Sequence, residues 1–165
     1  MISHDSHFKI YYKDVDQMGI VYYARYFEIF EMARTELLYS IGASVKNIEK
    51  NGTFLPVVSA TCNYKKPASF EQSLLVKTQI SSLPGARLKI EYKILCEDYM
   101  DLIAEGETTH GFVDKKGKPK KPPEFLINTL KEMGLNRFSE TVFTSGEASL
   151  RYILEKFKNK KFFHL

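Results

Sequence analysis

Long apolar runs are missing from this chain: none approaches the roughly 20 residues that a bilayer-spanning helix requires, so a helical membrane protein is excluded. Cysteine is scarce as well. Cys62 and Cys96 form no Cys-x-x-Cys pair and do not stand beside histidine at metal-ligand spacing, so they read as two reduced core thiols. His4, His7, His110 and His164 make no spaced metal set, and no metal is expected. His110, on a strand, reads as a hydrogen-bonded structural histidine. There is no Gly-x-Ser-x-Gly elbow, and no glycine-rich phosphate loop precedes a helix. The opening MISHDSHFKIYY lacks the basic start and apolar run of a secretory signal, which sets a cytoplasmic expectation.

Charge of one sign is absent from most of the chain. The formal net charge is +4, and residues 151–165 carry all of it through Arg151, Lys156, Lys158, Lys160 and Lys161 against Glu155. The rest is formally neutral, which argues against dedicated nucleic-acid binding. What is present is a core: 44% of the 165 residues are hydrophobic, enough for one globular domain with an extra terminal element.

Alternation and helical spacing divide that domain. Phe8 to Lys13 reads as a short strand running into a turn. Tyr26, Phe30, Ala33, Leu37 and Ile41 recur at helical spacing, so about Ala24 to Ile41 is an amphipathic helix that Gly42 stops. Four strands follow: about Phe54 to Lys66, with Val58, Ala60, Cys62 and Tyr64 on one face; Leu74 to Ser82; Leu88 to Cys96; and Leu102 to Val113. One strand, one long helix and four strands with short turns describe an α+β antiparallel sheet wrapped around a helix. The basic, proline-containing KKGKPKKPP leaves the sheet, and a short helix after Pro123 closes the domain near Gly134. Residues 1–134 are therefore one domain and residues 135–165 an extension. In that extension Ser145 is a candidate N-cap for a helix with Leu150, Ile153, Leu154 and Phe157 in a stripe. Packing on this domain or a partner is the favoured role for the stripe, over membrane-surface contact or nucleic-acid binding.

The stretch DVDQMGIVYYARYF, residues 14–27, holds two acids, a glycine and several aromatics. Asp14 and Asp16 beside a turn are by themselves turn-stabilising residues as readily as reactive ones. Their flanks change the reading. From Tyr11-Tyr-Lys-Asp-Val-Asp16, through Gly19-Ile-Val-Tyr22 and Tyr26, to Phe30-Glu-Met-Ala-Arg-Thr-Glu36, the sequence resembles the 4-hydroxybenzoyl-CoA thioesterase family of hotdog-fold enzymes. It is particularly similar to the bacterial acyl-CoA thioesterases associated with the Tol-Pal system. The family pattern is Tyr-x-Asp-x-Asp-x-x-Gly-Val-Val-Tyr-(His or Tyr)-x-x-Tyr, then Phe-Glu-x-Ala-Arg-x-Glu. The similarity runs over roughly residues 8–130.

The resemblance implies a curved sheet of about five strands around one central helix, with active sites at the interface of a homodimer or homotetramer. It implies hydrolysis of an acyl-CoA to free coenzyme A and a carboxylic acid, with no cofactor beyond the coenzyme A of the substrate. Carried onto this chain, Asp16 is the catalytic carboxylate and Asp14 a structural one. The backbone N–H of Tyr23 faces the thioester carbonyl, and Gly19 leaves room for the turn or the ligand. Tyr23 departs from the histidine of many Tol-Pal-associated members, which a backbone role tolerates. Lys65, Lys66, Arg87 and Lys89 are candidates for the coenzyme A phosphates, against the plainer reading of solvated strand-end cations. Glu31 and Arg34 are given structural roles, as an i, i+3 pair.

The chemistry is consistent with these residue types. Thioester hydrolysis needs an oxygen nucleophile or base and stabilisation of charge growing on the carbonyl oxygen. An aspartate carboxylate can attack the carbonyl directly or activate a water, and the sequence leaves both routes open. A helix N-terminus supplies the unpaired N–H groups and the favourable end of the macrodipole. The alternative, a non-catalytic hotdog module that binds an acyl thioester or a protein partner, stands because fold alone does not confer activity.

Overall fold

A computed structural model describes residues 1–135 of the chain. The extension and its expected helix from Ser145 lie outside the described residues, apart from Leu135. Strand β1 (Ile2–Lys9) leads through a 3-10 turn (Tyr12–Asp14) and a tight hairpin into helix α1 (Arg25–Ser40). Helix α2 (Val45–Lys50), strands β2 (Val57–Tyr64), β3 (Ser73–Ile80), β4 (Arg87–Cys96) and β5 (Leu102–Gly111), and helix α3 (Glu124–Glu132) follow. The five strands form one antiparallel sheet in the order β1-β3-β4-β5-β2.

The apolar stripe of α1 packs onto the concave face of the sheet. Tyr26, Phe30, Ala33, Leu37 and Ile41 are all buried, against Leu88, Ile90, Tyr92, Ile94 and Cys96 alternating along β4. Phe30 stacks on Tyr92 with ring centroids 4.2 Å apart. That contact needs Gly106 on β5. A Cβ there would lie 2.2 Å from the Thr61 carbonyl oxygen and 2.8 Å from the Phe30 ring. Gly42 ends α1 at φ +76°, with the Ala43 N–H donating to the Leu38 carbonyl at 2.9 Å. The convex face is polar, with Lys77–Asp5 and Lys89–Glu107 ion pairs at 2.9 and 2.6 Å.

The structure moves one expected element and adds detail at two others. The first strand is Ile2–Lys9, and Tyr12 and Lys13 belong to the following 3-10 turn. Helix α2, capped by the Ser44 hydroxyl accepting from the Asn47 N–H, adds an element for which the sequence gives no expectation, because its six residues offer no periodicity. Strand β2 exists as expected, but its inward-facing residues are not buried within one chain. It lies at the sheet edge beside β5, and Val58 and Tyr64 remain 51% and 47% exposed. Among the described residues, no helix is long and apolar enough to cross a membrane.

Candidate active site

The stretch from Asp14 to Tyr22 is a miniature hairpin. Val15 bridges Val21, the Asp16 N–H donates to the Ile20 carbonyl at 2.9 Å, and the Gly19 N–H donates to the Asp16 carbonyl at 3.0 Å. This is a three-residue loop that ends on a left-handed residue, and Gly19 fills that position at φ +75°. An added Cβ at Gly19 would meet nothing within 4 Å, so the glycine serves backbone conformation rather than space within this chain.

The two acids of the hairpin have different surroundings. Asp14 is 1% exposed; its Oδ2 accepts from the Tyr11 N–H at 2.9 Å, and its Oδ1 accepts from Arg25 Nε at 3.0 Å and also from the guanidinium terminus. Its backbone carbonyl accepts from the Tyr22 N–H at 2.9 Å. Asp14 thus ties the 3-10 turn, the hairpin and the first turn of α1 together. The hydrogen bond from Arg25 to Asp14, with a further one to Glu28, holds the guanidinium above its already high range against the opposing effect of burial. Asp16 is half-buried. Its Oδ1 accepts from the Met18 N–H at 2.8 Å, and among the described residues no donor is bound to Oδ2. One oxygen orients the carboxylate and the other is available.

Tyr23 stands where the hairpin becomes α1. The Arg25 N–H donates to the Tyr22 carbonyl at 2.9 Å, closing a turn with Tyr23 and Ala24 at its centre. Among the described residues, the N–H groups of Tyr23 and Ala24 have no acceptor. Unpaired N–H groups at a helix start are donors for an anion. Beside them is a cleft of about 280 Å³ lined by Ile20, Val21, Tyr23, Tyr26, Tyr64, Lys65, Lys66 and Pro67. Tyr26 is buried and packs edge-on against Tyr64 at 5.1 Å; burial, then the nearby Cys62 thiol, push the phenols of both up to about 12. Tyr22 is 45% exposed, with its ring 4.6 Å from that of Tyr23.

The four candidate cations separate. Lys65 and Lys66 reach the cleft, and pair with Glu105 and Asp101, each at 2.9 Å. Arg87 and Lys89 lie toward the opposite end of the sheet, Arg87 opposite Gly111, and Lys89 engages Glu107 and Glu91 on the outer face. A single chain does not bring them to Asp16.

Arg34 does not pair with Glu31 among the described residues. It lies near a buried polar chain in which Tyr92 and Thr108 hydroxyls are 2.7 Å apart, Thr108 is 2.9 Å from His110 Nε2, and His110 Nδ1 is 3.3 Å from the Leu55 carbonyl. Because that carbonyl only accepts, Nδ1 carries the proton and Nε2 accepts from Thr108. Burial, then the Arg34 charge, lower the His110 ring to about 4, so it is neutral. Larger grooves exist, of about 850 Å³ between Leu83 and Lys131 and about 550 Å³ beside Arg34. Neither is lined by a residue of the hairpin or of the start of α1, whereas Ile20, Val21 and Tyr23 line the smaller cleft.

Sequence reasoning missed Arg25 and Tyr64 as parts of this site. Arg25 lies within the quoted stretch, but its partner stands 11 residues away across a folded turn. Tyr64 is 41 residues from the carbonyl it binds.

The carboxylate, unpaired amides and cleft occupy the same segment that matches a known family. The sequence profile of the thioesterase-like superfamily matches residues 11–130. The chain belongs to this superfamily. The acyl-CoA thioester hydrolase YbgC of Escherichia coli O6:H1 is 30% identical over 125 residues, covering 75% of this chain and 92% of that one. YneP of Bacillus subtilis (strain 168) is 33% identical over 117 residues, or 71% and 83% of the two chains. The crystal structure of a probable thioesterase from Bartonella henselae superposes with a TM-score of 0.67 at 32% identity, covering 73% of this chain and 99% of that one. The superfamily match includes the hairpin, α1 and the strands β2 to β5, which are the elements that build the cleft.

Proposed function

We infer that this chain is an acyl-CoA thioesterase, releasing free coenzyme A and a carboxylic acid. The observation that carries the reading is the joining, on one hairpin, of an oriented carboxylate at Asp16 to unpaired amides at the start of α1. Asp16 attacks the thioester carbonyl or deprotonates the attacking water. The Tyr23 N–H holds the carbonyl oxygen as charge develops, a contribution of roughly 3 kcal/mol for one such donor. Gly19 sets the turn that presents Asp16. Lys65 and Lys66 are the nearer candidates for the coenzyme A phosphates; Arg87 and Lys89 serve only if another subunit places them there. No resident cofactor is required, and a coenzyme A ester as substrate fits a cytoplasmic enzyme. Residues 1–134 are the catalytic domain in this reading, and 135–165 an extension that packs on this domain or a partner.

We place the active form as a homodimer. Strand β2 is an open edge with Val57, Val58 and Tyr64 exposed, and pairing it with the same strand of a second copy would cover both. A free-thiol assay across acyl-CoA esters of different chain length and aromatic character tests the activity and its acyl preference together. Thiol release from at least one ester is expected. Saturable binding of these esters without any thiol release would instead make the chain a non-catalytic binding module.

A further inference from the structure

We infer that Tyr64 is a positioning residue for the thioester carbonyl, and that the Ala24 N–H acts beside the Tyr23 N–H as a second donor to it. The inference rests on the thioesterase reading above. The Tyr64 hydroxyl donates to the Tyr23 carbonyl at 3.0 Å, across 41 residues of sequence. That carbonyl belongs to the peptide whose other end is the Ala24 N–H. The neighbouring peptide is held in the same way: its Tyr22 carbonyl accepts from the Arg25 N–H at 2.9 Å, and its other end is the Tyr23 N–H. Both peptides are therefore pinned through their oxygens, and both leave their N–H groups without an acceptor among the described residues.

Two effects follow from pinning a peptide at its oxygen. The plane of the peptide is fixed, so its N–H keeps one direction while the carbonyl oxygen of the substrate moves from trigonal to tetrahedral geometry. The bond also polarises the amide and makes its N–H a stronger donor, by about 10–30% per bond. A helix amide from the following turn ordinarily satisfies such a carbonyl. Here the Phe27 N–H goes to the Ala24 carbonyl instead, at 3.2 Å, and the side chain of a different strand fills the vacated role. Tyr64 lines the same cleft as Tyr23 and packs edge-on against the buried Tyr26, which holds its ring in place. Its phenol, raised to about 12 by burial first and the Cys62 thiol next, stays protonated and able to donate through neutral and alkaline pH.

The test is Tyr64→Phe, which keeps the ring and its contact with Tyr26 and deletes only the hydroxyl. A fall of about tenfold in kcat with KM within about twofold is expected, smaller than the 100- to 1000-fold of deleting a donor outright. The direct readout is the carbonyl stretch of a bound acyl-CoA carrying 13C at the thioester carbon, recorded in the Asp16→Asn background to prevent turnover. Adding Tyr64→Phe should return that band toward its frequency in water. Placing 3-fluorotyrosine at position 64, which keeps the hydroxyl and makes it a stronger donor, should move the band further from it. Wild-type kcat and an unmoved carbonyl band in the Tyr64→Phe protein would overturn the inference. So would a loss that appears in KM and melting temperature with no movement of the band. Full activity of Asp16→Asn, by contrast, would overturn the thioesterase site itself, whatever Tyr64→Phe does.

Discussion

Asp14 and Asp16 are two residues apart and chemically identical, yet one carboxylate is saturated and the other is half-bound. Arg25 is what commits Asp14 to structure, so Arg25→Ala leaves a carboxylate of 1% exposure without its cation. A loss of about 3 kcal/mol in chemical denaturation is expected, the range for breaking one side of a buried pair. At Gly19 the demand is conformational: Gly19→Ala at φ +75° should cost ~1 kcal/mol without a steric clash, read from the urea midpoint. His110 supplies a pH dependence. Its folded value of about 4 lies below its usual 6.5, so between these pH values the unfolded chain holds a proton that the folded chain does not. The His110 contribution to stability is complete above about pH 6.5 and declines as pH falls toward 4, by about 3 kcal/mol in total. Urea titrations at pH 7 and pH 5 should show the drop, and a His110→Asn protein that folds should show less of it. The different fates of Asp14 and Asp16 were legible in the sequence only through the motif that surrounds them. Arg25 was not legible, because nothing local to it indicates that a hairpin folds Asp14 back against its side chain.

The elements differ in how much of their environment a sequence pattern can reveal. Helix α1 and strand β4 were readable because each buries one face against the other, and their periods of 3.6 and 2 record it directly. Strand β2 alternates as cleanly, but its own chain covers only part of the apolar face: Cys62 packs against the core and Tyr64 against Tyr26, while Val58 stays half exposed. Alternation therefore disclosed the strand and not its partner. Helix α2 is held by one cap and by Ile48 in the core, too short a signal to separate from a loop. Gly106 is the sharpest element-level constraint: Gly106→Ala drives a methyl group into the Thr61 carbonyl and the Phe30 ring at once. A loss of about 3 kcal/mol or more is expected, or failure to fold. The same change at Gly85, where a Cβ meets nothing within 4 Å, should be nearly silent, and thermal melts of the two variants show the difference. Sequence alone gives no reason to rank these two glycines, since the ranking depends on which helix residue passes over the sheet.

In the molecule as a whole, the cleft lies next to the β2 edge of the sheet. Tyr64 belongs to both, and so assembly and activity are expected to be linked. Val58→Lys places a charge on that edge, and light scattering should show the dimer giving way to single chains, with thiol release falling in parallel. Deletion of residues 136–165 separates the roles of the extension: unchanged size and activity would confine it to tasks outside the catalytic domain. Thioester hydrolysis on this chain is assigned to the Asp16 carboxylate. Asp16→Asn isolates that role, because the amide oxygen can still accept from the Met18 N–H and preserve the turn while the charge is lost. With the acyl-CoA that the wild-type protein hydrolyses best, kcat for a folded Asp16→Asn protein should fall about 100-fold or more. Turnover near the wild-type rate in that variant would remove Asp16 from the reaction.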